Sequence, residues 1–266
     1  MSFPKISPKK IIRKIKHNFF SSVNSGKFSE TLLKKIIEIH TGLKKDKIKN
    51  DFSSVCVLRE WAHENILWGE RPHLVDEDKK FYFYYKNAPE IFSAFFEKKG
   101  GVMCGGGAYA LSRLYSLYGI ESYVLDVGKV GINTHAVVLV RVLFNGKSLL
   151  CLQDPMCNLS MVDENQDPLD YFDLLENMCN KMVDKKNILY GKARSVLFLG
   201  KDKEKEMIIN LEDEVGSDFL NFLEKCFLPK KPYYIFSFPI SILSFPVPEK
   251  DNELIKKACR IISKLT

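Results

Sequence analysis

Near residue 120 the hydrophobic pattern changes its period. Apolar residues of Ala108–Tyr118 recur every three to four positions, and Gly119 closes the run as a helix C-terminus. From Ser122 the apolar residues alternate. Ser122–Val127, His135–Phe144 and Lys147–Gln153 read as strands. Asn145-Gly146 lies between the last two, and both residues tolerate the positive φ of a two-residue hairpin turn. Those strands are therefore expected to be antiparallel neighbours. Counting outward from the turn puts His135 and Asp154 near the same end of the hairpin. A helix feeding an antiparallel sheet places the chain in the α+β class.

The flanks add helices. Residues 9–20, KKIIRKIKHNFF, set Ile11, Ile12, Ile15 and Phe19 on one face and most of the basic residues elsewhere. The next run has Ser29 as cap, Leu32, Leu33, Ile36 and Ile37 as stripe, and Gly42 as stop. A lysine-rich linker follows at 44–50. Residues 53–68 form a third amphipathic helix, with Ser53 or Ser54 as cap and Gly69 just past its end. FYFYY at 81–85 reads as a strand or a packed loop, and Pro89 opens a short helix ending at Gly100-Gly101. Beyond residue 160 helices are expected at Pro168–Met182, Asp218–Phe227 and Glu253–Lys264, with strands at Ser195–Leu199 and Met207–Leu211. Three segments result: 1–50, basic and helical; 51–160, the core; and 161–266, a C-terminal α+β extension packed on it.

Charge and cysteine usage exclude several classes. Residues 1–50 hold 13 Lys/Arg against 3 Asp/Glu, whereas the remaining 216 hold 27 against 30. The net +7 is thus a property of one end, and no specific nucleic-acid partner is expected. The 9–20 helix has two readings: it packs on the main domain, or it tethers the chain to an anionic membrane surface. The longest apolar stretch, Tyr233–Val247, is broken by Pro239 and Pro246, so no spanning helix is expected. No apolar run follows the basic N-terminus as a secretory leader requires, so a cytoplasmic location is expected. Seven scattered cysteines without a C-x-x-C pair read as reduced thiols, with no structural metal and no cofactor.

Chemistry concentrates in one stretch. A Cys follows a glycine pair at a helix start, a His opens a strand 31 residues later, and an Asp ends the next strand 19 residues after that. The attacking form of cysteine is the thiolate, and a helix N-terminus favours it through unpaired N–H groups and the positive end of the dipole. Gly105, Gly106 and Gly107 remove side chains around Cys104, so a carbonyl can approach and free N–H groups can hold an oxyanion. His135 is placed to take and return the proton, and Asp154 to orient the imidazole.

Residues 100–155 resemble the core of the transglutaminase-like family of cysteine enzymes. The resemblance rests on Cys104 at the helix start, the phrase Leu117-Tyr118-Gly119-Ile120, His135 leading a strand, and Asp154-Pro155 ending the next. The helix from Leu58 to Trp68 resembles the one preceding the nucleophile in such proteins. The resemblance implies a papain-like core: a central Cys-bearing helix packed on an antiparallel sheet, with extra N-terminal helices and a C-terminal extension. It implies that Cys104 attacks an amide or ester carbonyl of a peptide-like or acylated substrate to form a thioester, which water or an amine acceptor resolves. By the same resemblance Trp68 is the candidate for holding the oxyanion, beside Gly105. The chain departs from the family in having glycines where an aromatic residue often follows the Cys, and it lacks a D-x-D-x-D-G calcium loop. Gly100-Gly101-Val102-Met103-Cys104 is also similar to the nucleophile phrase of arylamine acetyltransferases, which keeps acyl transfer to an amine open. The other reading is a non-catalytic binding module of the same fold, tethered by its basic helix.

Overall fold

The computed structural model describes residues 28–44, 46–69, 73–129, 133–179, 185–192, 195–199 and 206–210. The helices expected at 9–20, 218–227 and 253–264 lie outside them, as does the apolar stretch 233–247. The described chain is α+β, with helices covering an antiparallel five-stranded sheet.

Helix α1 (Glu30–Thr41) is capped by Ser29, whose hydroxyl accepts from the Leu32 N–H at 3.3 Å. It stops at Gly42, where φ is 72° and the N–H donates to the Glu38 carbonyl. Helix α2 (Phe52–Asn65) starts earlier than the serines suggest. Asp51 is its cap, accepting from the Ser54 N–H at 2.8 Å, and Ser54 donates its own hydroxyl to the same carboxylate. It also ends earlier: Trp68–Gly69 form a short strand, β1, instead of a final turn. FYFYY holds a single helical turn, α3 (Tyr82–Tyr85), where a strand or loop was expected. Its rings pack on one another, with Phe83 and Tyr84 centroids 4.5 Å apart, and tertiary packing overrides the β preference of aromatics. Helix α4 (Ala88–Phe96) has a complete capping box between Asn87 and Glu90.

Helix α5 (Cys104–Leu117) packs on strands β2 (Ser122–Lys129) and β3 (Asn133–Phe144). Strand β4 (Lys147–Asp154) pairs with β3 from Phe144↔Lys147 to Val138↔Gln153. Asn145 and Gly146 have φ of 48° and 75°, as the hairpin turn requires. The sheet continues past residue 160 through β5 (Leu159–Met161) and β6 (Ile188–Tyr190), in spatial order β2-β3-β4-β5-β6. Between them α6 (Tyr171–Cys179) packs on β4 and starts later than its sequence pattern suggests. A second sheet joins β1, β7 (Ser195–Leu199) and β8 (Glu206–Asn210), with β1 parallel to β7.

One core unites Leu33 and Ile37 of α1, Leu58 and Trp61 of α2, Phe92 of α4, Leu111 and Leu114 of α5, and Val138, Val140 and Val142 of β3. The alternate residues Val137 and Leu139 are buried as well, so β3 is covered on both faces over its apolar middle, Ala136–Val140.

Candidate active site

Cys104 is the first residue of α5. Met103 before it provides no side-chain cap, and the first intrahelical bond runs from the Gly107 N–H to the Met103 carbonyl at 2.9 Å. Among the described residues, the N–H groups of the first turn therefore have no side-chain acceptor, and the positive end of the helix dipole faces the thiol.

His135 stands on β3 opposite Val127 of β2. Asp154 is the last residue of β4. Pairing between β3 and β4 ends at Val138↔Gln153, so both residues lie where the hairpin strands part. There His135 Nε2 and Asp154 Oδ2 are 2.6 Å apart. The other carboxylate oxygen, Oδ1, accepts from the N–H groups of Met156 and Cys157 at 2.8 and 2.9 Å. The Cys104 sulfur is hydrogen-bonded to the imidazole and accepts from the Ala136 N–H. Cys104 is half-buried, whereas His135 is 6% and Asp154 0% exposed. The imidazole and the carboxylate are enclosed, and the thiol is the most accessible of the three groups.

Burial opposes charge on all three groups, and their contacts outweigh it. The Asp154 charge and hydrogen bond, with those of the two thiols, raise His135 well above its ordinary value. The positive imidazole and the two backbone N–H bonds hold Asp154 below the usual carboxylate range. The imidazole and the Ala136 N–H hold the Cys104 thiol below its ordinary value. These directions favour the charged form of each of the three groups, the combination that a thiolate–imidazolium pair requires. Cys56 and Cys151, by contrast, are pushed up by burial.

The remaining residues expected at the site divide. Gly105 faces open space, with nothing within 4 Å of where a Cβ would stand. Gly106 and Gly107 do not. A Cβ on Gly106 would lie 2.5 Å from Val102 Cβ, and one on Gly107 would lie 2.5 Å from Trp68 Cη2 and Cζ3. Only Gly105 opens the approach to Cys104; the other two let α5 sit close on its neighbours. Trp68 is 1% exposed, and its indole N–H donates to the His63 carbonyl at 3.0 Å. That bond commits the one donor of the ring, which forms a floor beneath the helix.

Three residues near the site carry no mark in the sequence. His63 of α2 donates from Nδ1 to the Pro155 carbonyl at 2.9 Å, tying the helix to the peptide after Asp154. Burial keeps this imidazole below its ordinary pKa and neutral. Arg59, one turn earlier and 1% exposed, donates to Asn158 Oδ1 at 3.1 Å, to Gln153 Oε1 at 3.3 Å and to Ser160 Oγ. The 59/63 spacing on one helix face was the only available signal. The third is Cys157, whose sulfur is hydrogen-bonded to both His135 and Asp154. Among the described residues no helix is long and apolar enough to cross a membrane.

No protein-family model matches the chain, and no curated protein does. Among solved structures, one of a protein from Cytophaga hutchinsonii, described as a candidate cysteine protease, matches at 16% identity and a TM-score of 0.31. The match covers 52% of this chain and 42% of that one, so the chain spans less than half the length of the structure it matches.

Proposed function

We propose that the protein is a thiol-dependent acyl enzyme, with Cys104 as nucleophile, His135 as proton carrier and Asp154 as the group that orients and charges it. One observation carries the reading. A half-buried thiol at an uncapped helix start is hydrogen-bonded to an imidazole whose Nε2 is held at 2.6 Å by a buried carboxylate.

In this reading Cys104 Sγ adds to the carbonyl carbon of an amide or ester. The carbonyl electrons move to oxygen, which the first-turn N–H groups, Gly105's among them, stabilise. This reading does not assign Trp68 to the oxyanion, because its N–H donates to the His63 carbonyl. The carbon–nitrogen or carbon–oxygen bond then breaks while His135 gives its Nδ1 proton to the leaving group, and a thioester remains on Cys104. Water or an amine, deprotonated by the same nitrogen, attacks the thioester. The outcome is hydrolysis or acyl transfer. Asp154 stays ionised throughout and fixes the ring. The similarity of residues 100–155 to the transglutaminase-like enzymes supports the same assignment of roles.

The test is the pH profile of alkylation at every cysteine, read by peptide mass mapping. Cys104 is expected to react well below the pH at which Cys56 and Cys151 do, and to lose that advantage in His135→Ala. Equal profiles at Cys104 in the two proteins refute the thiolate–imidazolium pair.

A further inference from the structure

The acyl chemistry gives no role to Cys157, although its thiol stands at the relay. The cause is the turn after β4. Asp154 Oδ1 accepts from both the Met156 and the Cys157 N–H, which curls the chain back on the carboxylate. The Cys157 sulfur is thereby returned to His135 and Asp154, and one donor atom from each residue lies within 4.8 Å of the other two. The donor atoms of all three are enclosed, although Cys157 as a whole residue is half-buried.

We propose that His135, Asp154 and Cys157 form a binding site for a thiophilic divalent cation of the zinc type. The donor set is one imidazole nitrogen, one carboxylate oxygen and one thiolate. That mixture suits zinc or cobalt and disfavours calcium and magnesium, which take oxygen ligands. Three protein ligands are the number found in open zinc sites. Two protons leave as the cation enters, one from Nε2, where it bridges to Asp154, and one from the Cys157 sulfur. The 2.6 Å contact between Nε2 and Oδ2 must open to roughly 3.3 Å, the separation of two ligands about 2 Å from a tetrahedral ion. The sequence hides the set because its members come from a strand start and a turn, spaced 19 and 3 apart, without a paired-cysteine motif.

One consequence rests on the acyl reading. A cation on Nε2 leaves the ring a single proton, on Nδ1, and loss of that proton would leave an imidazolate. His135 could then no longer carry a proton in both directions, and bound zinc would hold the enzyme silent until a chelator removed it.

The experiment uses the full chain, reduced and stripped of metal, titrated with Zn²⁺ against a chromophoric chelator and separately with Co²⁺. Expected are one tight equivalent, release of about two protons per cation near neutral pH, and a thiolate-to-cobalt charge-transfer band in the near ultraviolet. Cys157→Ser should lose the band. It should also weaken zinc by at least about 100-fold, since even outer-shell partners of a metal are worth 10–100-fold. His135→Gln should weaken zinc as well, whereas Cys104→Ala, which removes none of the three donors, should keep both band and affinity. Circular dichroism establishes that each variant is folded, and Cys157→Ala stands in if the serine variant is not. Absence of stoichiometric binding, or a band unchanged by Cys157 substitution, overturns the site. Failure of the acyl reading shows separately, as a Cys104 alkylation profile indifferent to His135 in the metal-free protein.

Discussion

Gly105 and Gly107 lie two residues apart in the first turns of α5, and the same substitution should stabilise at the first and fail to stabilise at the second. Replacing glycine by alanine inside a helix gains about 0.8–1.0 kcal/mol of propensity at either position. At Gly105 the new methyl meets nothing within 4 Å, so the gain stands and the variant is up to about 1 kcal/mol more stable. At Gly107 it would stand 2.5 Å from two Trp68 ring carbons. Ordinary carbon contacts are about 3.5–4.0 Å, so the ring or the helix must shift by more than an ångström. Trp68 has little room to yield, being 1% exposed and bonded through its N–H to the His63 carbonyl. Overpacking of this kind costs about 1–3 kcal/mol. Gly107→Ala should therefore range from unchanged to about 2 kcal/mol less stable. The propensity gain cancels in the comparison, so the gap between the two variants, about 1–3 kcal/mol, isolates the clash. Urea denaturation with a common m-value measures it. Coincident midpoints, or Gly107→Ala as the more stable protein, would refute the assignment of one glycine to packing and the other to access. Gly105→Ala should also slow alkylation of Cys104 by a bulky reagent more than by iodoacetamide.

Three further outcomes are expected. The His135–Asp154 pair should stabilise the fold most between pH 3.8 and 6.5. His135 is raised in the fold, so its contribution is complete below 6.5 and fades as pH climbs through its folded value. Asp154 is lowered, so its contribution is complete above 3.8 and is lost as pH falls through its folded value. The stability difference between wild type and His135→Gln, followed against pH, should peak in that window, and a flat difference refutes the pairing. Arg59→Leu should cost about 1–3 kcal/mol through loss of its buried hydrogen bonds to Asn158 and Gln153, read as a lower denaturant midpoint; an unshifted midpoint removes Arg59 from the framework of the site. Deleting residues 1–22 should reduce sedimentation with anionic vesicles, and the loss should shrink as salt rises; equal sedimentation leaves the basic N-terminal segment without a membrane role.

How much the sequence disclosed depended on whether a feature has a period. The strand alternation and the Asn145-Gly146 turn located β3 and β4, and the outward count from the turn agrees with the 2.6 Å contact between His135 and Asp154. Gly119 and the apolar spacing placed α5. Trp68 was harder, because a two-residue strand has no period and its partner in β7 is more than 120 residues away. Arg59 and His63 look like the polar face of an amphipathic helix. They are buried because β4 and the turn after it supply Gln153, Pro155 and Asn158 as partners, which no local pattern announces. Cys157 was hidden for a related reason: two backbone bonds to one carboxylate oxygen bring it to the site, and such a turn shows in the sequence only as an Asp followed by Pro.

The hairpin turn has a reach beyond its own residues. From Asn145 back to His135 and from Gly146 on to Asp154 the chain runs eight to ten residues, about 30 Å at 3.4 Å per residue. Over that distance the two strands act as a ruler whose zero mark is the turn. A substitution there that changes the loop by one residue would slide β4 along β3 by one step. Alternate side chains would trade faces, and Asp154 would point away from the imidazole. Two turn residues about 30 Å along the strands from His135 and Asp154 thus hold the spacing of the candidate site.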